Sequence, residues 1–383
     1  MEFRLSEELQ LLQTTIRRFV NTEMIPFERE TTVGQELKPE WRQKYEQRAK
    51  DLGIWMMDVP EEYGGAGLNV LTRVLIWEEL ARTTALPSRT EGLGPTVRAI
   101  LFKLEGEMRE LYLLPVLRGE KRSCFAQTEP DAGSDPGSMR TTAVREGDFY
   151  VINGVKRFIS LADKADFAQV MAATDRAKGS HGGISCFIVD MHQPGVKVSA
   201  KYETMMDEDI FEITFDNVRV PIRNRIGEEG DGFKLAQEWI GIGRIKHGAR
   251  ALGVAERCLE LASSYAQERI TFGKPLSERQ AIQFMLVDSY IELKAARLML
   301  YQAASAMDSG EDVRVDTYVC KMYADEMAFR VADRCMQIHG GIGLTKDLPI
   351  EKFWRQQRSY CITEGATEVM KAAIARHVLR KYK

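Results

Sequence analysis

The chain has 383 residues, enough for two or three domains and a large core. Its 44% hydrophobic and 28% charged residues are those of a soluble globular protein. A net charge of −3 gives no electrostatic reason to expect nucleic acid or an anionic membrane as partner.

No apolar run approaches a bilayer span, and residues 1–20 mix acids with bases. Neither a signal peptide, a transmembrane helix nor stable membrane association is therefore expected. Residues 1–119 read as a helical domain. Phe3 to Val20 is amphipathic through Leu5, Leu11, Leu12, Ile16 and Phe19. Trp41 to Leu52 is a second helix closed by Gly53, Pro60–Gly67 is a loop, and helical pattern resumes from Val70 to Arg82.

Residues 120–231 change character. Cys124-Phe125-Ala126 is a short apolar edge, followed by the polar loop Thr128 to Ser138. Two prolines and two glycines in that loop exclude a helix or a long strand, and its backbone N–H groups are free to face an anion or a polar ring edge. Phe149–Ile152, Asn153-Gly154 and Val155–Ser160 predict a β-hairpin with its turn at Asn153-Gly154. A loop of this kind beside Phe158 and Ser160 suits a flat heterocycle with a polar edge. On composition alone the ordinary reading, a surface loop beside a hairpin, is the favoured one. Further strands are predicted at 168–172, 184–189, 196–200 and 211–220, separated by Gly182-Gly183, Pro194-Gly195 and Asp216-Asn217. With no βαβ alternation and no GxGxxG, the pattern argues for an antiparallel sheet or barrel and against a Rossmann domain.

Residues 232–383 return to the helical period. Leu252, Ala255, Leu259, Ala262 and Ala266 form one stripe; Ile282, Leu286, Ser289, Leu293, Ala296, Leu300 and Ala303 form another. Val319, Tyr323, Met327, Val331, Cys335 and Ile338 form a third. Such helices imply an antiparallel bundle, so the fold class is α+β and mainly α: a helical domain, a middle antiparallel β-barrel domain and a four-helix-bundle-like domain. The six cysteines lack CxxC spacing and read as thiols in a reducing compartment. The five histidines are dispersed, and no metal site is expected.

Three motifs lie between these helices. Glu268–Lys274 sets Arg269 beyond a helix end, and its planar fork suits a pyrophosphate, although such an Arg is usually a solvated charge. Gln337–Gly341 ends in two glycines that let backbone approach a ligand. Tyr360–Glu368 carries Glu364 beside Gly365, where a carboxylate is commonly a helix-start charge.

Together, TEPDAGSD, NGVKRFIS, PEEYGGAGL, ERITFGKPL, QIHGG and the Glu364 segment resemble the acyl-CoA dehydrogenase family, in order and spacing over most of the chain. The resemblance implies FAD as cofactor. It assigns flavin contacts to Phe125, Gln127, Thr128, Gly133, Ser134, Phe158, Ser160, Gln280, Ala366 and Glu368. Arg269, Thr271, Phe272, Gln337, Gly340 and Gly341 are assigned to a neighbouring subunit's flavin. A site shared in this way implies a homo-oligomer, in the family commonly a tetramer. Substrate contacts fall on Ser134, Arg244 and Gly365, and the catalytic base on Glu364. Some relatives carry the base near Arg244, but Gly241-Ile242-Gly243 offers no carboxylate there. Phe158 stands where many members have Trp, Gly241 where many have an acid, Ala366 where Thr is common, and Thr363 where an aromatic is common.

The implied reaction is α,β-desaturation of an acyl-CoA thioester. Glu364 takes the α-proton, and the β-hydrogen leaves as hydride to flavin N5. Hydrogen bonds to the thioester oxygen stabilise the developing enolate, and water exclusion is expected to raise the basicity of Glu364. Electrons pass to an electron-transferring flavoprotein, in a bacterial cytoplasm or, for a processed chain, a mitochondrial matrix. Two other classes stay open. One is an oxidase or enoyl-CoA reductase of the same family, which oxygen uptake by reduced enzyme would separate. The other is a flavin-free binding protein on the same fold, which an absence of flavin absorbance after adding FAD would favour.

Overall fold

The structure, a computed structural model, describes residues 4–34, 36–87 and 93–383. The chain divides into two compact units, Met1–Leu93 with Gly241–Lys383, and Gly94–Ile240.

In the first unit, α1 (Glu7–Phe19) starts at Ser6, whose hydroxyl accepts the Leu9 N–H at 3.3 Å. It carries Glu7 and Glu8 at its positive end and Arg17 and Arg18 at the other. Phe3, where the amphipathic pattern begins, lies outside the described residues. Helix α2 (Pro39–Asp51) opens on a proline and is followed by Gly53 in the left-handed region. Helix α3 (Val70–Leu80) is capped by Asn69, whose side-chain oxygen accepts the Thr72 N–H at 2.9 Å. The long helices are α4 (Gly232–Glu268, which enters this unit at Gly241), α5 (Gln280–Asp308) and α6 (Arg314–His339). Two shorter ones, α7 (Ile350–Tyr360) and α8 (Thr367–Lys381), complete the chain.

One apolar core joins the early and late helices, from Ile16, Phe19, Val74 and Leu75 to Leu252, Leu300, Met327 and Val331. Each such side chain contributes about 1.5–3 kcal/mol by leaving water. The predicted stripes of α4 and α5 fall inside it. That of α6 does so from Tyr323 onward, with Tyr323 half-buried against the core, whereas Val319 lies outside it and Cys320 is buried beside it. The sequence stripe steps by four from Val319 to Cys335, and four residues overshoot a 3.6-residue turn. A stripe counted in fours therefore walks around the helix. Buried acids on α3 tie the layers together. Glu79 accepts from Arg17 at 2.9 Å, and Glu78 takes Arg297 and the Tyr301 hydroxyl at 2.7 Å each.

The second unit is a sheet of β1 (Ser123–Ala126), β2 (Thr142–Glu146), β3 (Phe149–Ser160), β4 (Phe167–Ala173), β5 (Ile184–Asp190), β6 (Val196–Glu203), β7 (Asp209–Pro221) and β8 (Arg225–Ile226). The order is β8-β5-β4-β2-β3-β7-β6. Pairing is antiparallel except that β1 and β2 each run parallel to β4. The expected hairpin at Asn153-Gly154 is absent. Asn153 and Gly154 lie inside the unbroken strand β3, at a register shift against β7. Gly154 has φ +151°, and a Cβ there would strike Thr141. Asn153 Oδ1 accepts the Asn217 N–H at 2.8 Å and so holds the bulge against the neighbouring strand. The true turn is Gly147-Asp148, between paired Glu146 and Phe149, with Gly147 at φ +59°.

Candidate active site

In each unit a non-glycine residue in the left-handed backbone region, on a loop in the first and in a strand bulge in the second, lies next to a buried lysine-carboxylate pair. In the first unit that residue is Glu364, at φ +54° between α7 and α8. Left-handed backbone costs an ordinary residue of order 1–3 kcal/mol, so the loop must be held from outside. Lys321, buried on α6, holds it. Its ammonium donates to the carbonyls of Tyr360 (2.6 Å) and Gly365 (2.9 Å), bracketing Glu364, and pairs with Asp325 at 3.3 Å. Gly365 follows at φ +111°, where a Cβ would collide with Met370.

The Glu364 carboxylate turns toward α4. A Cβ on Gly243 would occupy its place, so glycine at 243 makes the room. Its Oε1 lies 3.5 Å from His247 Nε2, and its buried Oε2 has no hydrogen-bond partner. His247, itself buried, has Nδ1 at 3.7 Å from Asp325 and packs on the Tyr360 ring at 4.5 Å. Burial pushes the Glu364 carboxyl up, but His247 and, further off, Lys246 and Arg250 outweigh it and hold it at about 2. In this structure the cations around the carboxylate outweigh its desolvation. Burial pushes His247 down, and Glu364 and Asp325 raise it above its usual value. Arg244 is buried with its guanidinium 4.7 Å from the Tyr318 ring centroid; desolvation lowers its basicity, and its Nε has no partner.

In the second unit, β1 leads into the loop that starts at Gln127. Lys156, fully buried on β3, donates to the Gln127 carbonyl at 3.0 Å and to Glu129 at 2.8 Å. Glu129 also accepts the N–H groups of Arg140 (2.6 Å) and Thr141 (2.9 Å), which closes the loop on itself. Burial brings Lys156 down to about 8 against the pull of Glu129. The Arg157 N–H reaches the Thr128 carbonyl at 2.8 Å, so Thr128 and Phe158 are brought together. Phe158 sits at φ +60° in a second β3 bulge, 52% exposed, with Tyr202 edge-on at 5.5 Å. Gly133 and Ser134 are exposed, Ser160 is half-buried, and Phe125 packs on Trp239 at 4.7 Å. Gln127 Oε1 is buried without a partner. An orphaned acceptor beside an outward-turned aromatic and free loop hydroxyls fits a flat polar ring such as a flavin.

Arg269 follows α4 and leads a two-residue ladder whose turn is Phe272-Gly273. Phe272 is 97% exposed, and Arg279 Nη2 caps the Thr271 carbonyl at 2.7 Å. Gln280 opens α5; Gln337, Gly340 and Gly341 are exposed at the end of α6; Ala366 and the exposed Glu368 begin α8. Glu364, Gly365 and Arg244 come together, with Arg244 Nη2 3.9 Å from where a Gly365 Cβ would stand, whereas Arg269, Phe272 and Gln280 are exposed. His247, Asp325, Lys321, Lys156 and Glu129 were not among the expected site residues. A usable signal existed for Lys321 and Asp325, which occupy buried-face positions of α6 beside Cys320 and Ala324. Among the described residues no group of three or more His, Cys, Asp or Glu could hold a metal, and no helix is long and apolar enough to cross a membrane.

The chain matches the acyl-CoA dehydrogenase N-terminal domain over residues 6–120, the middle domain over 124–218 and the C-terminal domain over 230–379. It is 37% identical to a 3-(aryl)acrylate reductase of Clostridium sporogenes, covering 98% of this chain and 99% of that one. It is 35% identical to the caffeyl-CoA reductase-Etf complex subunit CarC of Acetobacterium woodii, covering 98% and 99%. The butyryl-CoA dehydrogenase structure from Megasphaera elsdenii superposes with a TM-score of 0.84 at 33% identity, covering 99% of this chain and all of that one. Full-length relatives and three family domains in order show that the chain belongs to the acyl-CoA dehydrogenase family, whose members are oxidoreductases and flavoproteins.

Proposed function

We propose that the chain is an FAD-dependent acyl-CoA dehydrogenase that removes the α-proton of an acyl-CoA thioester with Glu364. The observation that carries this reading is the Glu364 carboxylate itself, presented on a left-handed residue between two carbonyls pinned by Lys321. FAD, when bound, supplies the acceptor for the β-hydride. This chain's own residues orient and protect. Phe158, Thr128, Ser134, Ser160, Phe125, Gln127 and Gly133 offer a ring face, hydroxyls and an unpaired carbonyl oxygen to the cofactor, with Ala366 and Glu368 at the start of α8. Arg269, Thr271, Phe272, Gln337, Gly340 and Gly341 serve a second copy's cofactor, and Gln280 is a further flavin contact.

The enzyme is a homo-oligomer, a tetramer by family habit. Support comes from α5, which leaves Phe284, Val287, Ile291 and Leu298 exposed on the face away from its core stripe, near the bare Phe272 turn in sequence. Apolar exposure on this scale marks an interface. Functional domains run 1–119, 120–231 and 232–383. In catalysis the Glu364 and Gly365 backbone and Arg244 steady the thioester end, Ser134 contacts substrate, and water exclusion strengthens the hydrogen bonds to the enolate oxygen. An electron-transferring flavoprotein is the redox partner, in keeping with the name of the Acetobacterium relative.

A second reading, reduction of an enoyl-CoA by the same residues in reverse, is favoured by the two relatives named as reductases. Anaerobic titration of the FAD-loaded protein with acyl-CoA thioesters of varied length and branching tests the first reading. Bleaching of the flavin by at least one saturated ester is expected. Bleaching by none, with reoxidation of reduced protein by an enoyl-CoA, sinks the dehydrogenase direction and leaves the reductase.

A further inference from the structure

His247 is a buried titratable group that the proposed reaction leaves unused. It sits on α4 with a carboxylate at each ring nitrogen. Nε2 is 3.5 Å from Glu364 Oε1, and Nδ1 is 3.7 Å from Asp325 Oδ2. The two acids come from separate elements, the loop between α7 and α8 and the buried face of α6. From α7 the Tyr360 ring packs on the imidazole at 4.5 Å. On α4 itself Arg244, Lys246 and Arg250 flank it, and each interacts with the Glu364 charge. Beyond Asp325 stand Lys321, 3.3 Å from it, and the Cys361 thiol, which burial pushes up to about 11.

The two acids are not equivalent. Asp325 is 1% exposed beside the Lys321 ammonium and serves to orient the ring. A neutral imidazole keeps its proton on Nδ1, toward that carboxylate, and turns a bare Nε2 to Glu364. Glu364 is 30% exposed, with Oε1 toward His247 and Oε2 buried without a partner. A thioester lying over the exposed part cuts this carboxyl off from water and leaves His247 in contact with it. The 3.5 Å gap must close by about 0.3 Å or more for a proton to cross, a common difference between free and ligand-bound sites. Burial pushes His247 down, while Glu364 and Asp325 raise it above its usual value. At mildly acid pH the free site therefore holds an imidazolium against a carboxylate.

We infer that His247 is a positioning residue that stores the reaction's proton behind Glu364 and so sets the direction the site favours. The inference rests on the reading of Glu364 as the base. When a saturated thioester is oxidised, the bond between the α-carbon and its hydrogen breaks and the proton goes to Glu364. A neutral His247 then takes it: the Glu364 O–H bond breaks and an Nε2–H bond forms. Enoyl-CoA reduction runs the other way. The imidazolium gives its proton to Glu364, which passes it to the α-carbon while the β-carbon takes a hydride from the reduced cofactor. A charged His247 thus holds the site ready to reduce. A neutral one leaves Glu364 ready to oxidise.

The test follows FAD-loaded enzyme in both directions from about pH 5.5 to about pH 9. Butyryl-, hexanoyl- and 3-phenylpropionyl-CoA serve for anaerobic bleaching, and the matching 2-enoyl esters for reoxidation of reduced enzyme. Carbon-labelled imidazoles report ring charge by NMR in the resting enzyme, and with five histidines His247→Asn assigns the signal. Bleaching by wild type should rise, and reoxidation fall, by about ten-fold or more across the pH at which the His247 signal titrates. In His247→Asn both slopes should flatten, and reoxidation near neutral pH should slow by about 10². Slopes that persist in the variant overturn the proposal. So do wild-type slopes displaced from the His247 titration, which decides the point should the variant fold poorly. Glu364→Gln should lower the pH at which His247 titrates, and an unchanged titration there overturns the storage role even if no ester reacts. Bleaching at the wild-type rate by Glu364→Gln removes Glu364 as the base. Loss of bleaching there, with slopes persisting in His247→Asn, removes this inference alone.

Discussion

The two buried lysine-carboxylate pairs differ in how completely they are closed. Lys156 and Glu129 satisfy each other, and the lysine also takes the Gln127 carbonyl while Glu129 collects two backbone N–H groups. Lys321 and Asp325 are equally buried, yet neither Asp325 oxygen makes a hydrogen bond, His247 Nδ1 lacks one, and Glu364 Oε2 lacks one. A closed pair fixes a loop. An open one leaves acceptors able to take a proton or a ligand, at a cost that the surrounding fold must cover.

Breaking the open cluster at its exposed end should produce the largest effect. Glu364→Gln preserves shape and removes the proton acceptor. The rate of flavin reduction in one anaerobic turnover should fall by about 10³ to 10⁴ or more. FAD content and CoA-ester binding should hold. Wild-type bleaching by the variant would move the search for the base elsewhere. Breaking the closed pair should instead cost the fold. Lys156→Met leaves Glu129 buried without its cation and should destabilise the protein by about 3–5 kcal/mol in denaturant titration. A loss under about 1 kcal/mol would show that the two backbone N–H groups suffice for Glu129.

Gly243→Ala sharpens the comparison from the other side, because it alters neither pair directly. The added methyl takes the space of the Glu364 carboxylate and must displace it. Misplacement by about 1 Å can cost 10²-fold in rate. Slower reduction by about that factor, with stability within about 1 kcal/mol of wild type, is the expected result. An unchanged reduction rate would mean that the carboxylate reacts from another position.

Much of this was legible in the sequence. Helical stripes on α4 and α5 and all four later strands follow from period and turn residues, since burial on one face leaves a regular trace. Asn153-Gly154 misled because a bulge and a two-residue turn both need a residue tolerant of unusual φ, and the dipeptide cannot say which. Glu364 was found by resemblance; its local pattern is that of any helix start. Its partners His247 and Asp325 are 117 and 39 residues away in sequence (364 − 247 and 364 − 325) and share no motif with it. Only the fold joins them. What the sequence did carry was Lys321 and Asp325 on the apolar face of α6, a placement that needs a partner to be tolerated.

The smallest effect concerns His247, and its sign follows from two opposite shifts. Glu364 is depressed from an ordinary 4.5 to about 2, so its contribution to stability is present above 4.5 and lost as pH falls toward 2. His247 is raised above 6.5, so its contribution is complete below 6.5 and lost as pH rises through the raised value. The pair therefore stabilises most between those limits, where the imidazolium faces a carboxylate. His247→Asn keeps a polar side chain but cannot carry the charge. Its deficit relative to wild type should be about 1–3 kcal/mol near a pH of roughly 5.5, the cost of leaving a buried polar partner unsatisfied. The deficit should shrink at alkaline pH, where wild-type imidazole is neutral as well. The Glu364 carboxyl, followed by its infrared stretch in the substrate-free variant, should titrate closer to 4.5 than to 2. A deficit independent of pH would assign His247 a packing role against Tyr360. The low basicity of Glu364 would then have to come from Lys246 and Arg250 alone.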